Sequence, residues 1–124
     1  MFRLHFAALS LAVLFSSGAL VEARADNHGA IAYSPETGAA GWSYDHPSRR
    51  RAERVAMGNC LAYADDCRIA TYFSNACGAV AKASNGGWGA DWGYDRRDAE
   101  RNALAACYDQ GDNCRVVRWQ CTSR

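Results

Sequence analysis

The chain has 124 residues, 49% of them hydrophobic and 22% charged, with 14 Lys and Arg against 13 Asp and Glu for a formal net charge of +1. This length accommodates one small domain, and the near-neutral balance excludes the strongly basic face that a nucleic acid or an anionic membrane requires. Six cysteines in so short a chain point to an exported fold stapled by disulfides.

Arg3 and His5 precede an apolar run from Phe6 to Phe15, and Ala23, Arg24 and Ala25 follow at the spacing of a cleavage site. Residues 1–25 are therefore expected to form a secretory signal peptide, cut near Ala25. The run is too short to span a bilayer as a helix, so no membrane insertion is expected once it is removed. Residues 26–124 carry all six cysteines and 12 residues of each charge sign, as one secreted or periplasmic domain.

That domain is internally repeated, with repeat one at about 29–77 and repeat two at about 78–121. Gly29 to Ala32 (GAIA) returns as Gly78 to Ala81 (GAVA), Trp42 to Asp45 (WSYD) as Trp92 to Asp95 (WGYD), and Ala52 to Arg54 (AER) as Ala99 to Arg101. Cys60 and the CRI at Cys67 reappear 47 residues later as Cys107 and the CRV at Cys114, and Cys77 and Cys121 close the copies. Six features in one order indicate a duplication.

Each copy opens with a short strand, Ala30 to Tyr33 or Ala79 to Lys82, followed by a turn rich in Pro, Asn and Gly. A second strand carries Trp42 and Tyr44, or Trp88, Trp92 and Tyr94, at a period of two and so on one face. Asp45 or Ser48 in the first copy and Asp95 in the second are placed to cap helices, with Asp98 as a capping-box acid. The helices are expected over Arg49–Tyr63 and Arg96–Asp109, with Ala52, Ala56 and Cys60 matching Ala99, Ala103 and Cys107 on one Ala-rich face. A strand beginning at Cys67 or Cys114 ends each copy. The fold class is thus α+β: a duplicated strand-strand-helix-strand unit forming one mostly antiparallel sheet with both helices on one face.

Six cysteines allow 15 pairings, and the repeated seven-residue spacing selects Cys60 with Cys67 and Cys107 with Cys114, leaving Cys77 with Cys121 to join the copies. The same spacing argues against zinc, whose structural sites favour cysteines two to four apart, and neither a metal nor a cofactor is expected.

The segments GAIAYSPETGAAGWSYD, AERVAMGNC, DCRIATYFSNACGAVA, NGGWGADWG, AERNALAAC and NCRVVRWQC together resemble the bacterial family known as domain of unknown function 4189. The resemblance implies a small exported domain and brings no catalytic residues with it. The His46-Pro47-Ser48 stretch lacks a counterpart in the second copy and reads as a longer lead-in to the first helix.

Two sets of residues are candidates for binding. Arg49, Arg50 and Arg51, mirrored by Arg96 and Arg97, crowd the first helical turns, where the macrodipole disfavours positive charge. Either they pair with acids such as Glu53 and Glu100 on a solvated face, or they form an anion site built twice. The aromatic stripe of Trp42, Tyr44, Trp88, Trp92 and Tyr94 is either core beneath the helices or an exposed platform for a sugar ring or a protein. No serine sits in a nucleophile elbow, and Gly86, Gly87 and Gly89 lack the Lys-Ser/Thr of a phosphate loop. The resulting expectation is a non-catalytic interaction module for a protein or envelope glycan. A cell-envelope hydrolase using Asp45, His46 and Asp95, and an exported effector or inhibitor protein, are the alternatives.

Overall fold

The structure is a computed structural model that describes Gly18 and residues 26–123; the expected signal peptide, Gly18 apart, lies outside the described residues. The element order is β1 (His28–Tyr33), β2 (Ala40–His46), α1 (Arg49–Leu61), β3 (Arg68–Ser74), β4 (Cys77–Lys82), β5 (Trp88–Gly93), α2 (Arg96–Tyr108) and β6 (Arg115–Cys121). Strand, strand, helix and strand follow one another twice, as the repeat requires. No helix among the described residues is long and apolar enough to cross a membrane.

The strands divide into two three-stranded antiparallel sheets, ordered β2-β1-β3 and β5-β4-β6, each with the first strand of its unit in the centre. This differs from the single sheet expected, and the alternation of the central strands gives the reason. Ala30 and Ala32 of β1 pack against Ala52, Ala56 and Cys60 of α1, while Ile31 and Tyr33 on the opposite face meet Phe73 of β3 and Val80 of the other sheet. In β4, Ala79 and Ala81 face Ala99, Ala103 and Cys107 of α2. Both central strands are therefore buried on two faces. The layers run helix, sheet, sheet, helix, with the helices on opposite outer sides instead of together on one.

Small residues set the spacing of these layers. A Cβ built on Gly41 would strike the backbone of Ala56 and Cys60, and one on Gly89 would strike Cys107 and Ala106, so each edge strand passes directly beneath a helical turn. Phe73 fills the space between the sheets, and both Gly29 and Gly78 leave room for its ring.

The registers also correct the alignment of the copies. Ala32 pairs with Gly41 where Ala81 pairs with Gly89, and Ile31 pairs with Trp42 where Val80 pairs with Ala90. Trp42 thus corresponds to Ala90 and not to Trp92, so the WSYD and WGYD similarity is shifted by two residues from the structural equivalence. The first unit has one more residue in its β1–β2 turn and an irregularity between His28 and Ala30. Those two additions, and not a three-residue lead-in, bring the offset from 49 residues at Gly29 and Gly78 to 47 at the helices.

The caps follow from this. Ser48 accepts from Arg51 N at 3.2 Å and Asp95 accepts from Asp98 N at 2.8 Å. Asp98 bonds Arg101 at 2.5 Å, so only half of the expected capping box forms. Each helix ends just short of its expected limit, where Cys60–Cys67 or Cys107–Cys114 turns the chain into the last strand. Cys77–Cys121 joins directly paired residues of β4 and β6. All three bridges match the expected pairing, although the third lies within the second sheet, near the junction with β3, and does not bridge the two sheets.

Candidate functional site

The two candidate sets are partly absorbed by the fold. Arg49 bonds Glu53 at 2.8 Å and places its guanidinium 4.4 Å from the centroid of Tyr72; Arg96 bonds Glu100 at 2.6 Å and lies 3.9 Å from the centroid of Trp119. Arg49 and Arg96 are 47 residues apart, as are Tyr72 and Trp119, so the repeat preserves a carboxylate and an aromatic face around each arginine. This offsets the macrodipole at the helix start. The Glu53 carboxylate raises the Arg49 pKa above its ordinary value, chiefly through their hydrogen bond. Arg50, Arg51 and Arg97 are exposed on the same first turns.

The aromatic residues separate by position. Trp88 is half-buried and packs on Tyr33, with ring centroids 5.3 Å apart, at the edge of the inter-sheet core. Trp42 is 38% exposed and carries the Arg118 guanidinium on its ring. Tyr44 of β2 is exposed. Trp92 and Tyr94, 42% and 79% exposed, meet edge to face with centroids 5.2 Å apart.

Trp92 and Tyr94 stand over a groove of about 360 Å³ completed by Asp91, Gly93, Asp98, Arg101 and Asn102. Gly89 and Gly93 of β5 lie against α2, where an added Cβ would meet helix backbone, and Trp92 and Tyr94 come from the end of β5 and the residue just beyond it. The helix supplies the polar wall. Asn102 donates to the Trp92 carbonyl at 3.0 Å and so locks the strand to the helix while its own side-chain oxygen stays available to accept. Asp91 accepts from Trp92 N at 2.8 Å, and Arg101 spends one of its donors on Asp98. A second recess of about 280 Å³ is lined by Ala40, Trp42, Asn59, Ala62 and Tyr63, with Asn59 donating to the Trp42 carbonyl at 3.3 Å.

Of the acid–base candidates, Asp45 and Asp95 are each engaged structurally. Asp45 takes a left-handed conformation, φ 57°, and accepts from both Ser123 N, at 2.8 Å, and the Ser123 hydroxyl, which clips the C-terminal segment to β2. Those bonds hold its carboxyl below the ordinary carboxylate value. Asp95 caps α2, and His46 lies across from His28 in the β1–β2 register. His28 contacts the Tyr72 hydroxyl at 2.7 Å. Among the described residues no cluster of three or more His, Cys, Asp or Glu is arranged to hold a metal ion.

Sequence reading missed Tyr72, Trp119 and Arg118. The first two were visible as aromatic residues at the same repeat offset as their arginines. Arg118 was not, because its counterpart in the first unit, Thr71, is uncharged.

A duplicated, disulfide-stapled α+β domain with two facing sheets and an exposed aromatic groove is the class these features define. The chain belongs to the family described as domain of unknown function (DUF4189), whose pattern matches residues 28–121. Protein Rv1269c of Mycobacterium tuberculosis and Protein Mb1300c of Mycobacterium bovis are each 48% identical over 68 residues, a stretch covering 52% of this chain and 52% of each relative. The chain thus matches about half the length of these curated relatives. The solved NMR structure of Rv1813c from Mycobacterium tuberculosis is similar over 98% of both chains, with 29% identity and a TM-score of 0.59.

Proposed function

We propose that this domain is a non-catalytic interaction module of the secreted or periplasmic space that holds an envelope glycan in the groove under Trp92 and Tyr94. The observation that carries this reading is the exposed edge-to-face pair of rings beside a polar helical wall. Two large rings left partly in solvent forgo a share of the burial that would otherwise stabilise a small domain, out of about 1.5–3 kcal/mol for a large apolar side chain buried in full. A sugar ring stacked on Trp92 recovers that burial, and Asp91, Arg101 and Asn102 retain acceptors and donors for its hydroxyls. Three disulfides suit the oxidising surroundings of an exported protein.

Titration of the 26–124 protein with soluble cell-wall muropeptides and neutral envelope oligosaccharides, followed by amide NMR, tests the reading. Saturable shifts at Trp92, Gly93 and Asn102 that vanish in Trp92→Ala are expected. A blank titration across these glycans, or binding that survives Trp92→Ala unchanged, overturns it; capture of a protein partner by the same groove would replace the glycan.

A further inference from the structure

We propose that the cavity at the Lys82 end of the second sheet, lined by Lys82, Ser84, Asn113 and Arg115, binds the carboxylate of a ligand. It is separate from the Trp92 groove and shares none of its lining residues. Three observations converge on it.

The first is electrostatic. Lys82, the only lysine in the chain, is the direct cross-strand partner of Arg115 in the β4–β6 register. Like charges facing one another across a strand pair destabilise it. Neither cation belongs to any of the three ion pairs among the described residues, which are Arg49–Glu53, Arg96–Glu100 and Arg101–Asp98. The second is steric. The cavity has a volume of about 440 Å³, its walls are predominantly polar, and half-buried Lys82 is one of its lining residues, with its Nζ 3.9 Å from where a Cβ on Gly38 would sit.

The third comes from the duplication. At the matching corner of the first unit, Tyr33 pairs with Arg68 as Lys82 pairs with Arg115, and Ser34 and Asp66 stand where the second unit has Ala83 and Asn113. There the Asp66 carboxylate accepts from the Ser34 hydroxyl and from Glu36 N, the latter at 3.0 Å. Ser34 holds its pKa below the ordinary value, and the charge of Arg68 adds to the effect. The first unit therefore fills its corner with a carboxylate of its own. The second unit replaces that acid with an amide and adds an ammonium. Asp65 and its counterpart Asp112 are exposed in both units and leave the difference unchanged.

A carboxylate entering from outside restores the missing charge. It meets a forked guanidinium, which suits two oxygens, and a lysine point charge. The Asn113 amide and the Ser84 hydroxyl, which donates to the Asp112 carbonyl at 3.3 Å and can turn to the ligand, complete the donor set.

The duplication itself supplies the decisive variants. Asn113→Asp places an acid at the position in sequence of Asp66, on a left-handed backbone, φ 55°, that Asp also tolerates and that Asp66 itself does not adopt. Lys82→Tyr restores its aromatic partner. The 26–124 protein is titrated with sodium acetate, acetyl-diglycine, the C-terminal amide of acetyl-diglycine and inorganic phosphate at constant ionic strength, while the Ser84, Asn113 and Arg115 amides and the Arg115 Nε–H are followed by NMR. Acetate and acetyl-diglycine are expected to give saturable shifts there, and the amide none. Acetyl-diglycine binding tighter than acetate identifies a peptide C-terminus, and equal binding identifies a free small acid. Asn113→Asp and Lys82→Tyr, each checked for a native amide spectrum, should weaken binding by roughly tenfold or more. Absence of saturable shifts in the wild type, a preference for phosphate, or unchanged binding in both folded variants overturns the proposal.

Discussion

The Arg118 guanidinium on β6 lies 4.1 Å from the centroid of the Trp42 ring on β2, so the last strand of the second unit is pinned to an edge strand of the first. The Arg118 Nε is buried without a hydrogen-bond partner, a cost that the ring face offsets only in part. Arg118→Ala removes both the charge and the stem that covers Trp42, and thermal unfolding should show a loss of about 1 kcal/mol. Arg118→Met keeps the stem and removes the unpaired N–H. It should be neutral or stabilising; a Met variant as unstable as the Ala variant would assign the effect to the charge alone.

The Asp45 clip makes the C-terminal segment sensitive to acid. Its carboxyl is depressed in the folded state by the two bonds from Ser123, so the stabilisation is complete above the ordinary carboxylate value and is lost as pH falls through the lower, folded value. Asp66 behaves with the same sign through Ser34 and Glu36. Amide exchange at Ser123 should rise as pH is lowered past this window once the intrinsic pH dependence of exchange is divided out. Asp45→Asn should remove the transition at Ser123 while leaving that of the Ser34 turn in place.

The three disulfides differ in the length of chain they restrain. Cys60–Cys67 and Cys107–Cys114 each span seven residues and Cys77–Cys121 spans 44. On chain entropy the short loops contribute about 2.5 kcal/mol each and the long one about 4 kcal/mol. Urea unfolding of the three double-Ala variants should rank Cys77→Ala/Cys121→Ala as the least stable. The opposite ranking would show that packing of Cys60 and Cys107 into the two helix–sheet layers outweighs loop closure.

Much of this fold was legible because a duplication writes the same signals twice. The repeated cysteine spacing chose among pairings, and Ala52, Ala56 and Cys60 recurring as Ala99, Ala103 and Cys107 marked the helical faces. What the repeat did not carry was the way two similar units dock. That was written in β1 and β4, where small residues alternate with Ile31, Tyr33 and Val80 and no polar residue interrupts either face before Lys82 at the end of β4, the pattern of a strand covered on both sides. The shared Trp-x-Tyr-Asp motif misled because local sequence identity outweighed strand register, and a one-residue turn difference and a bulge shifted it by two positions. The candidate site was half legible. Side-chain type located the arginines and tryptophans, but their partners Tyr72, Trp119 and Arg118 lie on strands distant in sequence.

Gly41 and Gly89 test the docking of each helix on its sheet. A methyl at either position meets helix backbone, which cannot rotate aside as a side chain can. Gly41→Ala should therefore cost about 3 kcal/mol or more, at or beyond the top of the usual overpacking range. Gly58→Ala is the control, since a Cβ there meets nothing within 4 Å and sits within α1. It should stabilise by up to about 1 kcal/mol through helix propensity. Equal effects of the two substitutions in a melting experiment would contradict the close helix–strand approach.

Trp88 and Trp92 lie on one strand and are expected to fail differently. Trp88 packs on Tyr33 at the inter-sheet core, so Trp88→Ala opens a void and should cost about 2–4 kcal/mol, less than a fully buried ring because one side remains wet. Trp92 loses only its edge contact with Tyr94 and its partial burial, so Trp92→Ala should cost about 1 kcal/mol or less. If the groove is the ligand surface, the more stable variant is the one that no longer binds. Melting temperatures and glycan titrations on the two variants, taken together, separate scaffold from site; a Trp92→Ala protein as destabilised as Trp88→Ala would place Trp92 in the scaffold and remove the structural basis for the groove.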